Sequence, residues 1–496
     1  MNRLFFLVAI MLAANCLYSA TYFVSTNGDD SNNGTSIDSP LSSIVAAVSK
    51  VSAGDSILVM DGIYHHAVTV NLSKNGTQTD SIFMLAFNDE HPILDFSGTA
   101  FGKRGISLSG SYWKIKGFEM MNAGDNAMFV SGANNTIEFC SFHDNKDTGL
   151  QLGKGAHDNK IINCDSYFNA DPTDFGDADG FAAKLDVGSN NYFYGCRAWN
   201  NVDDGWDGYM RGNDDVNTIL ENCWTWSNGY FKDGTDGGAK ANGNGFKVGG
   251  SDDKNLKHNF TLINCLAFFN KSKGFDQNNN MGDMFFYNCT GFGNEGYDFS
   301  IPKAIAAGKK AEVKNCVLFN GNKNLASFVV QENNSWDSNF EVDESDFVSI
   351  DTTGVSGARK PDGSLPDIAF MHLAEGSDLV DAGIDLQFEY IGKAPDLGAF
   401  ESNFVSVGFN NLINEHFFVA YQTFDKRIAI GYKNLNKQKA KVNIYNSIGQ
   451  LVANNSIDIF NDSKNVYVFE QNLQSGVYVV VLLQGTHHHV AKLIVE

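Results

Sequence analysis

Four aspartates, Asp179, Asp203, Asp204 and Asp207, recur with Lys247 in one repeating frame, and together they suggest a hard-cation site beside a lysine. Carboxylates packed together repel one another, so a bound cation is what makes such a cluster favourable. All-oxygen ligands without His or Cys fit Ca2+ rather than Zn2+. Each aspartate taken singly also reads as a solvated turn residue, because Asp and Asn favour turns in any case. Register is what favours a site. Two places after successive repeat glycines the chain reads Gln151, Ala182, Asp207, Lys247, Asp276 and Asp298, which sets a lysine between two aspartates on three consecutive repeats. The place before the glycine reads Thr148, Asp179, Asp204, Asn244, Lys273 and Glu295, and Asp203 adds a carboxylate beside Asp204. In stacked strands about 4.8 Å apart, each repeat position becomes a column on one face.

Those columns need a backbone that repeats. Past the N-terminal segment seven cysteines remain: Cys140, Cys164, Cys196, Cys223, Cys265, Cys289 and Cys316. Six have Asn five residues on, at Asn145, Asn169, Asn201, Asn228, Asn270 and Asn294, and six have an aromatic at the third position, from Tyr167 to Phe319. A degenerate earlier copy has Gly117 in the cysteine slot and Asn122 after it. A glycine and an apolar residue follow: Gly149-Leu150, Gly180-Phe181, Gly205-Trp206, Gly245-Phe246, Gly274-Phe275 and Gly296-Tyr297, with spacings of 31, 25, 40, 29 and 22 residues. This period, with alternation such as Thr136-Ile137-Glu138-Phe139-Cys140, predicts an all-β solenoid in which each repeat is one rung of a parallel β-helix. The cysteines are expected to stack inside as free thiols, disulfides being the alternative. The asparagines are expected to stack at a turn and satisfy one another's amides.

The ends of the solenoid need covers. After the strand Thr21-Tyr22-Phe23-Val24, Ser39 and Pro40 read as the N-cap and first residue of a capping helix. Leu41, Ile44, Val45, Val48 and Val51 give its apolar face, and Gly54 ends it. Rungs are expected from Ser56 to about Ala394–Glu401. Residues 402–415 read as a linker and 416–496 as a small C-terminal β-sandwich, with strands at 441–445 and 477–481. His487, His488 and His489 are expected in a solvated turn between two strands. Residues 1–20, with Arg3, an apolar run and then Ser19-Ala20, read as a secretory signal peptide, with a lipoprotein at Cys16 the alternative.

The net charge of −22 divides into −24 over residues 1–410 and +2 over 411–496, which speaks against a nucleic-acid partner. An acidic protein acting on an acidic polymer needs a metal bridge or a basic patch; otherwise the acidity serves solubility. After the signal peptide no stretch approaches the roughly 20 apolar residues needed to span a bilayer. A soluble monomer, secreted or held at the cell surface, is expected.

The motifs Asp177-Ala178-Asp179-Gly180-Phe181-Ala182-Ala183-Lys184, Val202-Asp203-Asp204-Gly205-Trp206-Asp207, Gly243-Asn244-Gly245-Phe246-Lys247 and Lys273-Gly274-Phe275-Asp276 resemble those of pectate lyases of polysaccharide lyase family 9. The resemblance runs from about Tyr22 to Glu401 and implies a right-handed β-helix, the four aspartates as calcium ligands and Lys247 as the base. The stacking argument by itself implies only a cation site beside a lysine. The implied reaction is β-elimination on an acidic plant polysaccharide, leaving a 4,5-unsaturated sugar, with Lys184, Lys273 and Asp276 as candidates for substrate contact. Lys184 and Lys273 also read as structural ion-pair partners. The inserts Ala170–Gly176 and Gly229–Gly243 are expected to line a groove. A rhamnogalacturonan lyase and a non-catalytic calcium-stiffened solenoid remain alternatives; a glycoside hydrolase would need paired carboxylates and leave Lys247 without a role. The tail, through Val442-Asn443-Ile444-Tyr445-Asn446-Ser447-Ile448-Gly449-Gln450, Ser475-Gly476-Val477-Tyr478 and Lys492-Leu493-Ile494-Val495, resembles the C-terminal sorting domain of type IX secretion. That implies the secretion machinery as a partner, with a merely stabilising sandwich the alternative.

Overall fold

A two-residue turn sets the cross-section of each coil. Asn163, Gly195, Asn222, Asn264, Asn288 and Asn315 all adopt left-handed backbone, with Asn163 at φ 51° and Gly195 at φ 61°. Asn and Gly tolerate that region best. The next residue in each case is a cysteine whose thiol points inward. The seven cysteines among the described residues are free and buried, as small apolar groups. The thiols of Cys164, Cys223 and Cys265 donate to the carbonyl two residues back at 3.4 Å. Denaturing alkylation without reductant is therefore expected to modify all seven of these cysteines. Two or more disulfides in that mass measurement would break the alignment of the rungs.

The computed structural model of the chain describes residues 19–173, 175–402, 417–422, 428–433, 439–446, 450–458, 465–469, 473–484 and 487–495. The signal-peptide reading at 1–20 and the linker reading at 402–415 fall almost wholly outside them. Three parallel sheets, of 12, 10 and 10 strands, wind around one core. Calling them A, B and C, one coil runs Thr136–Glu138 (A), Ser141–His143 (B), Leu150–Leu152 (C), then Lys160–Ile162 back in A.

Two side-chain columns close the turns. Between B and C, the Nδ2 of Asn145, Asn169, Asn201, Asn228 and Asn270 each donates to the Oδ1 of the next asparagine at 2.8–3.1 Å. A second column, Asn135 to Asn159 to Asn191, lies at another corner and was not foreseen. Inside sheet C the aromatics after four of the repeat glycines, Phe181, Trp206, Phe246 and Phe275, stack in a column that Phe299 continues, with centroids 4.8–5.2 Å apart. A Cβ on Gly205 would lie 2.1 Å from Thr225 Oγ1, so that slot admits no side chain. Because side chains alternate along a strand, the residue after each inward aromatic faces outward. That outer face of sheet C carries Asp207, Lys247 and Asp276.

Four expectations need correcting. The helix is Ile44–Lys50, capped by Ser43, whose side chain accepts from Ala46 N at 3.1 Å; Leu41 instead forms a β-bridge with Val24. Ile44, Ala47 and Val48 are buried, but Val45 faces solvent. The strand Thr21–Val24 already belongs to sheet A, pairing with Ser56–Val59. The last rung strand is Val330–Glu332, and residues 333–402 return along the outside of sheet B instead of adding rungs. Phe347, Phe370, Met371 and Leu397 from that return pack on Trp199, Trp226, Phe268 and Phe292. Its Arg359 reaches Asp165, 2.6 Å away, which Arg197 also holds at 2.7 Å. Finally, His487, His488 and His489 are not a turn: they open the strand His487–Val495 and pair with Gln484, Leu483 and Leu482.

The chain divides into two compact units at Phe404/Val405. The second unit holds a three-stranded and a four-stranded antiparallel sheet. They share a core of Ile428, Ile430, Val442, Ile444, Val480 and Leu482, the small sandwich expected there. Among the described residues no helix is long and apolar enough to cross a membrane.

Candidate active site on the outer face of sheet C

The backbone register sets Gln151 beside Ala182, Ala182 beside Asp207, Asp207 beside Lys247 and Lys247 beside Asp276. The lysine between two aspartates is thus present as expected. The next rung departs: Asp276 pairs with Ser300, not Asp298. Phe299, not Tyr297, takes the inward aromatic slot, so the rung is shifted two residues from the glycine frame. Asp298 instead ends the asparagine column, where Asn294 donates to its Oδ1 at 2.5 Å, and Glu295 drops out of the column before the repeat glycines with it.

The column before the glycines is a chain of caps. Thr148 Oγ1 donates to Asp179 Oδ2 at 3.0 Å, and Asp204 N to Asp179 Oδ1 at 3.3 Å. Asn244 donates to Asp204 Oδ1 through both its N and Nδ2, at 2.7 and 2.8 Å. Asn242, from the second insert, grips Asp203 Oδ1 in the same way at 2.6 and 2.8 Å. These two asparagines fix the aspartate planes and leave each Oδ2 outside the grip. The two inserts lean together, Phe175 against Phe231 at 5.1 Å, over a small cluster of Ala178, Val202 and Ala241.

Asp179, Asp203 and Asp204, all buried, each offer a carboxylate oxygen within 4.8 Å of the others. Asp207 stands apart from that trio: its Oδ1 lies 3.1 Å from Lys247 Nζ and its Oδ2 3.3 Å from Lys184 Nζ. Lys247 also lies 2.6 Å from Asp204, and Lys184 2.6 Å from Asp179. Two ammonium groups against four carboxylates leave two negative charges in a buried site. Asp204 Oδ2 is buried and faces the Lys247 ammonium 2.6 Å away. An oxygen donor set and a residual charge of two in a buried site fit a divalent hard cation.

Electrostatics bear the same mark. Burial, then repulsion from Asp207 and Asp204, pushes the Asp179 carboxyl up to about 8, with Lys184 and Lys247 opposing. Burial raises Asp203 and Asp204 as well. Asp207 goes the other way, because Lys247 and Lys184 outweigh its burial. Burial alone would depress Lys247, but Asp204, Asp207, Asp203 and Asp179 hold it well above the ordinary lysine range.

Lys247, Asp207 and Lys184 line an open pocket of about 320 Å3 with Asp147, Gln151, Gly176, Asp177, Tyr209 and Arg211. The first insert thus reaches the pocket through Gly176. The second supplies Phe231, Lys232 and Asp233 to a larger groove of about 730 Å3 instead. Lys184 is spent on Asp179 and Asp207. Lys273 and Asp276 form their own pair at 3.0 Å and do not line the pocket. Asp147, raised by burial to about 6, was overlooked; it precedes Thr148 as Asp203 precedes Asp204, which is the signal that could have found it.

Residues 22–339 match the family model described as Pel9A-like, right handed beta helix region, and residues 425–496 match the Secretion system C-terminal sorting domain. Pectate lyase L of Dickeya chrysanthemi is 37% identical over 423 residues, covering 80% of this chain and 97% of that protein. The crystal structure of pectate lyase Pel9A superposes with a TM-score of 0.72 at 36% identity, covering 78% of this chain and 97% of that one. A solved rhamnogalacturonan lyase gives 0.63 at 27% identity, covering 72% and 97%.

Proposed function

The chain belongs to the Pel9A-like right-handed β-helix family and is a polysaccharide lyase; from that premise we propose that it cleaves pectate by calcium-dependent β-elimination with Lys247 as the base. The observation that carries the reading is Lys247 in register between Asp207 and Asp276, one step from a buried carboxylate trio. In this reading Asp179, Asp203, Asp204 and Asp207 would hold Ca2+, which would supply Lewis acidity toward the C6 carboxylate of the uronate. Lys247 Nζ, in its neutral form, takes the C5 proton. The electron pair of that C–H bond forms the C4–C5 double bond as the C4–O bond breaks, and the departing oxygen takes a proton from water. Asp204 and Asp207 orient Nζ from two sides.

The sorting domain marks the chain for secretion, which supports an extracellular polymer as the substrate. We propose a signal peptide at 1–20, the lyase domain at 21–401, a linker at 402–415 and the sorting domain at 416–496. Cleavage of rhamnogalacturonan at the same site is the second reading, supported by the likeness to the solved rhamnogalacturonan lyase. Incubation with polygalacturonate and Ca2+ is expected to raise ultraviolet absorbance from unsaturated uronate ends. New reducing ends without that absorbance would indicate hydrolysis, and no product from either polymer would leave a binding protein.

A further inference from the structure

Both lysines of the pocket are committed to the carboxylate cluster, each contacting two aspartates. Neither has charge to spare for a second uronate. Arg211 is the other basic residue lining the pocket. Its backbone is pinned to the adjoining rung, Arg211 N donating to Leu185 O at 2.8 Å. Met210, just before it, bridges Leu185 and Ser251 on either side. The guanidinium is held from one side. Its Nε lies 3.3 Å from Asp252 Oδ2, and Tyr209 OH donates to Asp252 Oδ1 at 2.6 Å. The ring of Tyr209 lies 5.6 Å from the guanidinium carbon.

The two-nitrogen edge, Nη1 and Nη2, bonds to no described residue. The Arg211 and Asp252 side chains are 61% and 64% exposed. An ion pair that exposed is weak and screened, so it orients the guanidinium without satisfying it. A planar fork with a free edge matches a carboxylate in bidentate fashion, which an ammonium does not.

We propose that Arg211 binds the carboxylate of the uronate adjacent to the one at the aspartate cluster, and so selects polymers in which two galacturonates are contiguous. The proposal rests on the pectate-lyase reading and makes it sharper. In a rhamnogalacturonan backbone a neutral sugar separates successive uronates, and the Arg211 edge then faces no charge.

The test is steady-state kinetics of the full chain on polygalacturonate and on rhamnogalacturonan backbone, both with Ca2+, alongside calcium titration of the protein alone. Arg211→Ala is expected to raise KM for polygalacturonate about 10-fold or more, the usual worth of a hydrogen-bonded charge. The preference for polygalacturonate should fall by a similar factor, calcium affinity should hold, and Arg211→Lys should recover part of the loss. An unchanged KM overturns the proposal alone. So does an equal loss on both polymers, which marks a merely structural residue. A wild-type protein that yields no unsaturated product from polygalacturonate overturns this proposal together with the reading beneath it.

Discussion

Replacing Lys247 with arginine is expected to cut turnover on polygalacturonate by about 100-fold or more, the usual worth of a positioned base. Arginine keeps the positive charge between Asp204 and Asp207 but stays protonated throughout the working range, so it preserves the ion pairs and removes the base. Lys247→Ala should lose as much turnover and some stability too, because it strips a partner from two buried carboxylates. The pH profile follows from the same residue. The surrounding carboxylates hold Lys247 charged well above the ordinary range, and only the neutral amine can accept a proton. Turnover should therefore climb with pH through the alkaline range. Calcium at the aspartates cancels part of the charge that holds the proton on, so the climb should begin at lower pH as calcium is raised. Rate, melting temperature and calcium affinity measured on one Lys247→Arg sample decide the matter. A folded, calcium-loaded variant with near-normal turnover would exclude the base role.

Much of this site was legible because the solenoid converts sequence period into columns. The glycine followed by an aromatic marks the inward slot, so the outward slot one residue on could be read off, and Asp207, Lys247 and Asp276 fell into register. The same rule failed one rung later. Gly296-Tyr297 imitates the frame, but Asp298 is needed to end the buried asparagine column, and Phe299 stacks on Phe275 in its place. A free column end is a three-dimensional requirement that a local motif does not express. The helix cap failed for a similar reason: Ser39-Pro40 has the right chemistry, yet Leu41 is drawn into a bridge with Val24, so the helix starts one turn later. Residues 333–402 carry no period at all. Their apolar side chains answer to the aromatic face of sheet B, a surface that exists only once the rungs are stacked. Reach across rungs was invisible too. Lys184 occupies no column with the cluster, but its long side chain turns back to Asp179, five residues earlier. The asparagine just before five of the seven cysteines was a signal left unread; it marks the left-handed turn of each coil.

Stripping divalent cations with a chelator is expected to abolish turnover reversibly and to lower the melting temperature, more so at pH 8 than at pH 5. The sign follows from the carboxylates. Without a cation, Asp179 is raised from 3.8 to about 8. Between those values the folded protein holds a proton that the unfolded chain has released. Stability of the metal-free protein therefore falls as pH rises across that window and levels off above it. Asp203 and Asp204 are displaced in the same direction, and Asp207 opposes them. Calcium competes with that proton for ionised oxygens, so its affinity and its stabilising effect should grow with pH. Asp204→Asn isolates the site. The amide oxygen still accepts from Asn244, the contact that fixes the side chain, while the charge is gone. Calcium affinity measured by calorimetry should fall by about 10-fold or more, since even partners outside the ligand shell cost that much. The solenoid should stay folded on its other rungs. Full activity in chelator, or a calcium-induced rise in melting temperature that is the same at both pH values, would remove the cation from these aspartates.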